Sequence, residues 1–527
     1  MSDSTRSEPS TPRRHLDAWW IALAGLAVGS AYLAAELYFL SGGLGFPLDD
    51  TWIHLQFARQ LAAGEGLSYQ DGLWVGGSTA PLWTVLLSLG FVLPISPLLW
   101  AKVLGIACFA GVAVVSRNLA RILGLSRPLQ ILGAALVLLT PWLAWSALSG
   151  MEILAFTFLS LGGLYLHVLE LRAPGRLPLS LPILAAAALT RPEGALLLVL
   201  ATIERGMHAR RQDGGAVRQL MSALVLAAIV LLPTLLTYRV LGGSWLPTTF
   251  AVKGSMPNDL LPSGRYLQAV VNVLFGAQPI LFLLAGAGAI RMIERLGTPQ
   301  DRGWLAPAWL FGLPVAYAFL AADRGAVVVG NFGRYYFPVV PLVVLLGLLG
   351  LDPALNVLRQ RFPETRWPAG AALALLLLPA GWGGFQGLPR YLQTVANVED
   401  SDVRAARELA DRLPPEAVLA VQDIGAIKFH LPNRIIDLAG IVEPGILPYL
   451  HGSGPQDPIY WEQRLLAFLE PRQPDYLLIF ERSYPMLSSP PQGFTRVQAF
   501  EIENNVTMAG DTLVLIQTPW ARHLVKP

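Results

Sequence analysis

The chain has 527 residues, of which 54% are hydrophobic and only 14% are charged, and its formal net charge is +2. Its mean hydropathy of +0.50 excludes a soluble globular protein of this length, because too little polar surface remains to face water. The single cysteine, Cys108, excludes a disulfide framework and a cysteine metal cluster. The net charge says little about partners, and no nucleic-acid partner is expected.

The N-terminal segment predicts a tail followed by a membrane anchor. Residues 1–17 are polar and are expected to form a disordered cytoplasmic tail. The apolar run at 18–40 is long enough to cross about 30 Å of hydrocarbon as a helix, and no small-residue cleavage site follows it. Residues 41–80 are then expected to form an outer loop that carries two adjacent carboxylates, Asp49 and Asp50.

The segment after these carboxylates, TWIHLQFARQLAAGEGL, predicts a helix. Its apolar residues suit an amphipathic helix in the outer membrane interface, and Gly64 and Gly66 end the pattern. Such a helix would hold Asp49 and Asp50 at a fixed depth. Two carboxylates at the mouth of a membrane cavity can act as a general base or bind a metal, or they can form a solvated loop end without a role.

Further apolar runs follow along the chain. They lie near residues 81–95, 98–122, 128–147, 152–170, 181–203, 218–240, 268–291, 304–322, 335–350 and 369–388. With the first run, they predict about 11 transmembrane helices. The short run at 81–95 is expected to be only partly embedded. The run at 181–203 carries Arg191, Pro192, Glu193 and Gly194 at its middle, which predicts two half-helices folded into a hairpin.

The distribution of basic residues predicts the sidedness of this arrangement. With these two exceptions, eighteen Lys and Arg residues before residue 389 fall in cytoplasmic segments and seven fall in outer ones, as the positive-inside rule requires. The polar groups Asp49, Asp50, Glu152, Arg191, Glu193, Lys253 and Arg334 then all lie at or near the outer face.

The character of the chain changes at about residue 389. A helical pattern at 403–413 is followed by β-rich runs at 417–423, 433–440, 475–481, 495–502 and 512–518. Residues 389–527 are therefore expected to form an extracytoplasmic α/β domain. The predicted fold class is a polytopic α-helical membrane protein, with a membrane domain at 18–388 and this α/β domain at its C-terminus.

The segment DDTWIHLQFARQLAAGEGLSYQDGLWVGGSTAPLWTVLL (49–87) resembles the first outer loop of bacterial GT-C glycosyltransferases, in the branch of arabinofuranosyl- and mannosyltransferases that use polyprenyl-phosphate sugars. Similar stretches follow in order: SGMEILAF (149–156), LTRPEGALLL (189–198), WLPTTFAVKG (245–254), GRYYFPVVPL (333–342), DIGAI (423–427) and DLAGIVEP (437–444). The resemblance implies a bacterial inner-membrane enzyme that moves a sugar from a polyprenyl-phosphate donor to an acceptor hydroxyl on a glycan, lipid or protein, by inverting displacement.

The resemblance and the geometry together make Asp49 the first choice for the general base, with Asp50 as the second choice or as a group that orients the acceptor. Lys253 and Arg334 are expected to neutralise the donor phosphate as charge develops on it. No metal is assigned, because the chain has no D-x-D triplet here, although a divalent ion bound with the donor stays open.

Glu152, Arg191, Glu193 and His54 are expected to support the site, and each has a plainer structural role. Glu152 can complement a helix start, Arg191 and Glu193 can pair locally to make the hairpin tolerable in the membrane, and His54 can simply be packed. Arg334 can pair with a nearby acid or reach from a helix end to the membrane surface. Two other functions remain open: a lipid or glycan transporter or flippase, because charge at a broken helix also marks transporter sites, and an inactive glycan-binding protein.

Overall fold

The computed structural model describes residues 11–70, 72–172, 177–210, 214–241, 243–245, 247, 264–298, 301–320, 330–362, 367–450, 458–489 and 491–525. Lys253, one of the two residues expected to bind the donor phosphate, lies outside the described residues.

Helices dominate the chain as far as residue 398. They are Thr11–Phe39, Asp49–Ala62, Pro81–Ser88, Pro97–Ile122, Arg127–Leu138, Pro141–Leu148, Ile153–Arg172, Ser180–Ala188, Gly194–Ala209, Gly214–Leu241, Gly264–Ala277, Pro279–Glu294, Leu305–Leu320, Val340–Arg361 and Trp367–Val398, with 3-10 turns at Leu89–Phe91 and Gly330–Val339. Within the described ranges, five helices are long and apolar enough to cross a membrane, or up to seven if each of two bent pairs is one span. The chain is therefore a polytopic α-helical membrane protein, as the sequence predicts.

The bounds of the first and last of these helices differ from the predicted segments. The first helix begins at Thr11, so its first turns lie in the segment that the sequence predicts as a disordered tail. The last one, Trp367–Val398, runs through residue 389, where the sequence places the domain boundary.

Two of the apolar runs break at a proline. The run at 181–203 divides at Arg191 and Pro192 into two helices, as predicted. The run at 268–291, predicted as one crossing, is instead two helices bent by 104°. The residue before Pro279, Gln278, has a φ of −154° and a ψ of 79°, outside the helical region, because a residue that precedes proline is restricted away from that region.

A small α/β domain follows the last long helix. Its five strands are β3 (Leu419–Val421), β4 (Ile435–Asp437), β5 (Tyr476–Phe480), β6 (Thr495–Glu501) and β7 (Thr512–Gln517), after a short hairpin of β1 (Ser68–Gln70) and β2 (Leu73–Trp74) in the loop. The sheet order is β4-β3-β5-β7-β6, with β3 parallel to β4 and β5 and the remaining pairs antiparallel. Each strand falls inside one of the five β-rich runs that the sequence predicts.

The helices of this domain connect and cover the strands. They are Arg404–Ala410, Gly425–His430, Leu447–Leu450, Pro458–Leu469 and Pro485–Ser488, with a π turn at Glu399–Val403 and a 3-10 turn at Pro444–Ile446.

The helix Asp49–Ala62, called the loop helix below, packs against this domain. Side chains of the sheet alternate between two apolar clusters on its two faces. The cluster on one face also contains Ile53, Phe57 and Tyr69. Residues 51–58 of the loop helix are all buried. The helix is therefore covered by protein. The expectation that one face of this helix lies in the membrane interface is wrong. An apolar face can pack against lipid or against protein, and the sequence pattern does not distinguish the two.

Candidate active site

Asp50 and Arg334 form an ion pair although they lie 284 residues apart. Nη2 of Arg334 donates to Oδ2 of Asp50. The Arg334 side chain is only 3% exposed, whereas the Asp50 side chain is 36% exposed. The Nε and Nη1 atoms of Arg334 are buried without a hydrogen-bond partner in the described part of the chain. The pair therefore combines an accessible carboxylate with a buried cation that has unsatisfied N–H groups.

Asp49 faces a different partner. Its Oδ2 accepts the backbone N–H of Gly425 at 2.7 Å, and its Oδ1 accepts that of Ala426 at 2.7 Å. Burial raises the pKa of the Asp49 carboxyl to about 7, and these two N–H donors oppose that rise. Both oxygens of Asp49 are thus already engaged with the C-terminal domain.

The four supporting residues of the sequence analysis form one charged group. Arg191 donates from Nη1 to Oε1 of Glu152 at 2.7 Å and from Nη2 to Oε1 of Glu193 at 2.7 Å. Nε2 of His54 lies 3.2 Å from the other oxygen of Glu152. Arg191 therefore pairs with Glu193 locally, as the plainer alternative held, and also reaches Glu152 at the start of another helix.

Tyr335 joins this group to the Asp50–Arg334 pair. The guanidinium of Arg191 lies 4.9 Å from the centre of the Tyr335 ring, and that of Arg334 lies 5.5 Å from the same centre. Both distances are within the range of cation–π attraction. Sequence reasoning missed Tyr335, although its position beside Arg334 in GRYYFPVVPL was the available signal.

The turn before Glu152 fixes the loop helix against the membrane domain. Oγ1 of Thr51 donates to the carbonyl of Ser149 at 2.7 Å, and Nε1 of Trp83 donates to the carbonyl of Gly150 at 2.9 Å. Gly150 has a φ of +70°, and a Cβ there would lie 2.4 Å from Cγ2 of Thr51. Only glycine fits this close approach, which brings Glu152 to His54.

The structure thus brings together six of the eight residues that the sequence analysis assigns to the site. They are Asp50, His54, Glu152, Arg191, Glu193 and Arg334. Asp49 adjoins them but contacts the C-terminal domain. Among the described residues, no group of three or more His, Cys, Asp or Glu side chains is placed to hold a metal ion.

Two further carboxyl groups of the C-terminal part lie beside Asp49. Burial and the charges of Asp49 and Asp50 raise the pKa of Asp423 well above its usual range. Asp402 is 1% exposed, and neither of its oxygens has a hydrogen-bond partner among the residues that the structure describes. The sequence gives no signal for Asp402, since nothing near it in the chain sets it apart.

A family model matches the C-terminal part of the chain. A family model described as a domain of unknown function (DUF8728) matches residues 393–517, which include the strands of the C-terminal domain. No curated protein matches the chain.

Solved structures resemble nearly the whole chain. Apo ArnT from Cupriavidus metallidurans is 14% identical, with a TM-score of 0.55 and coverage of 93% of this chain and 98% of ArnT. The apo oligosaccharyltransferase from Archaeoglobus fulgidus is 11% identical, with a TM-score of 0.56 and coverage of 94% and 76%. AglB from the same organism, in complex with an inhibitory peptide and a dolichol-phosphate, is 11% identical, with a TM-score of 0.53 and coverage of 95% and 75%.

These similar structures are glycosyltransferases of the GT-C fold. The chain has this fold. Identities of 11–14% establish the architecture alone, so the activity has to be argued from the site itself.

Proposed function

We propose that this chain is a membrane glycosyltransferase that moves a sugar from a polyprenyl-phosphate donor to an acceptor hydroxyl at the outer face of the cytoplasmic membrane. The observation that carries the proposal is the Asp50–Arg334 pair, in which a partly exposed carboxylate adjoins a buried guanidinium. Two nitrogen atoms of that guanidinium, Nε and Nη1, have no hydrogen-bond partner among the described residues. An enzyme of this class needs a base for the acceptor beside a cation for the phosphate.

Arg334 is the candidate for the donor phosphate. Its Nη2 contacts Asp50, while the N–H groups on Nε and Nη1 remain available within the described residues. A guanidinium can donate several parallel hydrogen bonds to phosphate oxygens. Arg191 lies across the same Tyr335 ring, but its charge is already paired with Glu152 and Glu193. Lys253 remains a second phosphate-binding candidate from its sequence position.

Asp50 is the candidate for the general base. The sequence favours Asp49, but both Asp49 oxygens accept backbone N–H groups, whereas the side chain of Asp50 is 36% exposed. The contacts therefore favour the reverse order. A base must lie within hydrogen-bond reach of the proton that it removes, which an exposed carboxylate achieves more easily.

The reaction then proceeds as one displacement. Asp50 takes the proton of the acceptor hydroxyl while that oxygen forms a bond to the anomeric carbon from the face opposite the phosphate. The bond from the anomeric carbon to the phosphate oxygen breaks, and polyprenyl phosphate leaves with the electron pair. Arg334 stabilises the charge that develops on this leaving group, and the configuration at the anomeric carbon inverts.

Two further observations support the donor class and the side of the membrane. A similar structure, AglB, holds a dolichol-phosphate, which is a lipid phosphate of the proposed kind. The excess of Lys and Arg in the segments predicted to be cytoplasmic supports an outer position for the site.

The test is release of free polyprenyl phosphate from a labelled polyprenyl-phosphate sugar by the purified full-length protein, with and without an acceptor glycan. We expect release to require Asp50: Asp50→Asn should lower the rate by about 10²–10⁴-fold, the usual contribution of a general base. Asp411→Asn is the matched control, because Asp411 is exposed and follows a helix of the C-terminal domain.

Other outcomes would identify the competing functions. Passage of the intact labelled lipid across a vesicle membrane without release of polyprenyl phosphate would indicate a flippase. Binding of glycan with no release by the wild type would indicate an inactive glycan-binding protein. Equal rates for the wild type and an Asp49→Asn, Asp50→Asn double variant would show that neither acid takes part in catalysis.

A further inference from the structure

The contact between the loop helix and the C-terminal domain is polar as well as apolar. Besides the two hydrogen bonds to Asp49, Nη1 of Arg59 donates to the carbonyl of Phe429 at 2.9 Å. The hydroxyl of Tyr69, just after the loop helix, donates to the carbonyl of Ile424 at 2.8 Å. The loop helix and the chain that follows it are therefore joined to one short segment, residues 424–430, by side-chain hydrogen bonds to its backbone.

Gly425 is the point of closest approach. A Cβ added at Gly425 would lie 2.2 Å from the carbonyl oxygen of Asp49 and 2.7 Å from its Oδ1. Contacts this short are not tolerated, and one of them involves backbone that cannot rotate away. Glycine in the DIGAI segment is thus required for Asp49 to accept both N–H groups.

Asp49 and Asp50 point in different directions because they are consecutive residues of one helix. Successive side chains on a helix are rotated by about 100° around its axis. Asp49 therefore faces Gly425 and Ala426 of the C-terminal domain, while Asp50 faces Arg334 of the membrane domain. Fixing Asp49 fixes the rotation of the first turn, and with it the position of the Asp50 carboxylate.

We propose that Asp49 is a positioning residue, through which residues 424–426 of the C-terminal domain set the orientation of the loop helix and hence of Asp50. This inference rests on the proposed role of Asp50 as the base. It gives the C-terminal domain a part in catalysis, because this domain holds the loop helix, which carries the base.

The decisive variant is Gly425→Ala, because it disturbs the contact without altering any ionisable group. We expect kcat for sugar transfer to fall by about 10²-fold, the usual loss when a reacting group is displaced by about 1 Å, while the donor KM stays the same because Arg334 is untouched. Gly445→Ala is the matched control. Gly445 lies in the same domain, and among the described residues a Cβ there would meet a single side-chain atom, Nη2 of Arg472, at 3.9 Å.

Two changes at Asp49 complete the set. Asp49→Ala removes both acceptors and should lower kcat as far as Gly425→Ala, and the two changes combined should cost little more than either alone, because they break the same contact. Asp49→Asn keeps one acceptor oxygen and should retain more activity than Asp49→Ala. Hydrogen exchange of the full chain should show faster exchange at residues 49–62 in both Gly425→Ala and Asp49→Ala, and no change in Gly445→Ala.

Each remaining outcome decides between the two proposals. Loss of turnover in Asp49→Asn, with normal turnover and exchange in Gly425→Ala, would make Asp49 itself the base and overturn the positioning role. Faster exchange in Gly425→Ala with unchanged kcat would also overturn it, while leaving the proposed activity intact. A wild type that transfers no sugar would overturn the proposed function, and with it the catalytic part of this inference, whatever the exchange measurement shows.

Discussion

Nη1 of Arg191 donates to Oε1 of Glu152 at 2.7 Å. This contact joins the break in the apolar run at 181–203 to the start of the helix Ile153–Arg172. Because Nη2 of Arg191 also binds Glu193, one guanidinium pairs with the buried Glu152 and the partly buried Glu193. The break at residues 189–193 is therefore part of the charged site and is not an isolated turn within the membrane.

Replacing Arg191 should destabilise the protein strongly. In Arg191→Ala, Glu152 and Glu193 keep their positions without their cation, and removing one partner of a buried ion pair costs about 3–5 kcal/mol. We expect thermal unfolding in detergent to show a clear loss of stability, and the double variant Arg191→Met, Glu152→Gln to recover part of it. Arg218→Ala, at an exposed residue, is the control; an equal loss in both single variants would contradict this account.

Arg334 should contribute both to donor binding and to the rate of sugar transfer. Arg334→Ala removes the group expected to neutralise the leaving phosphate, and loss of one such group lowers kcat by about 10²–10³-fold. Arg334→Lys keeps the charge but not the planar set of donors, so an intermediate rate is expected. The measurement is the initial rate of polyprenyl phosphate release against donor concentration.

Arg239→Lys provides the control for this series, because Arg239 is exposed and its Nη1 donates to the carbonyl of Gly243. Normal kcat in Arg334→Ala would show that Arg334 does not stabilise the leaving phosphate, and Lys253 would remain as the candidate.

Much of this arrangement was predictable from local patterns. The five strands and the break at Arg191 follow from alternation and from a proline beside charges. The ranking of Asp49 and Asp50 was not predictable in this way, since two adjacent acids look alike in the sequence. Their difference comes from the start of the helix at Asp49 and from partners at residues 334 and 425, hundreds of positions away.

A second buried ion pair was also not predictable from the sequence, because its partners lie far apart in the chain. Nζ of Lys102 lies 2.9 Å from Oε2 of Glu36, and the hydroxyl of Tyr391 donates to that same oxygen at 2.5 Å. Lys102 also donates to the carbonyl of Gly45 at 2.7 Å. Each of these residues alone reads as an isolated polar residue in an apolar run, and only the packing of three helices brings them together.

Lys102→Met should therefore destabilise the membrane domain. The change leaves the Glu36 carboxylate buried without a cation, at a cost of about 3–5 kcal/mol. The double variant Lys102→Met, Glu36→Gln should be more stable than Lys102→Met alone, because no unpaired charge then remains. Unfolding in detergent measures both, and a double variant no better than the single one would show that Glu36 is not the group left unsatisfied.

The acids at the junction with the C-terminal domain should make stability depend on pH. Burial raises the pKa of Glu399 to about 7, and burial with the charges of Asp423 and Asp49 raises the pKa of Asp402 well above its usual range. The folded protein then holds protons that the unfolded chain has already lost, so stability falls as pH rises. His430 acts in the opposite direction below about pH 6.5, because burial lowers its pKa to about 4.

We therefore expect the unfolding temperature to fall between pH 6.5 and 8.5, and Asp402→Asn to reduce this fall. The variant removes a carboxylate that has no hydrogen-bond partner in the described structure, so it should raise the unfolding temperature more at pH 8.5 than at pH 6.5. Asp400→Asn is the control, because Asp400 is an exposed residue of the same turn. Two results together would contradict this account: a lower unfolding temperature for Asp402→Asn at pH 8.5, and an equal fall when a chelator is added to the wild type. The Asp402 carboxylate would then be ionised and bound to a cation, because a buried carboxylate is favourable only beside a compensating charge.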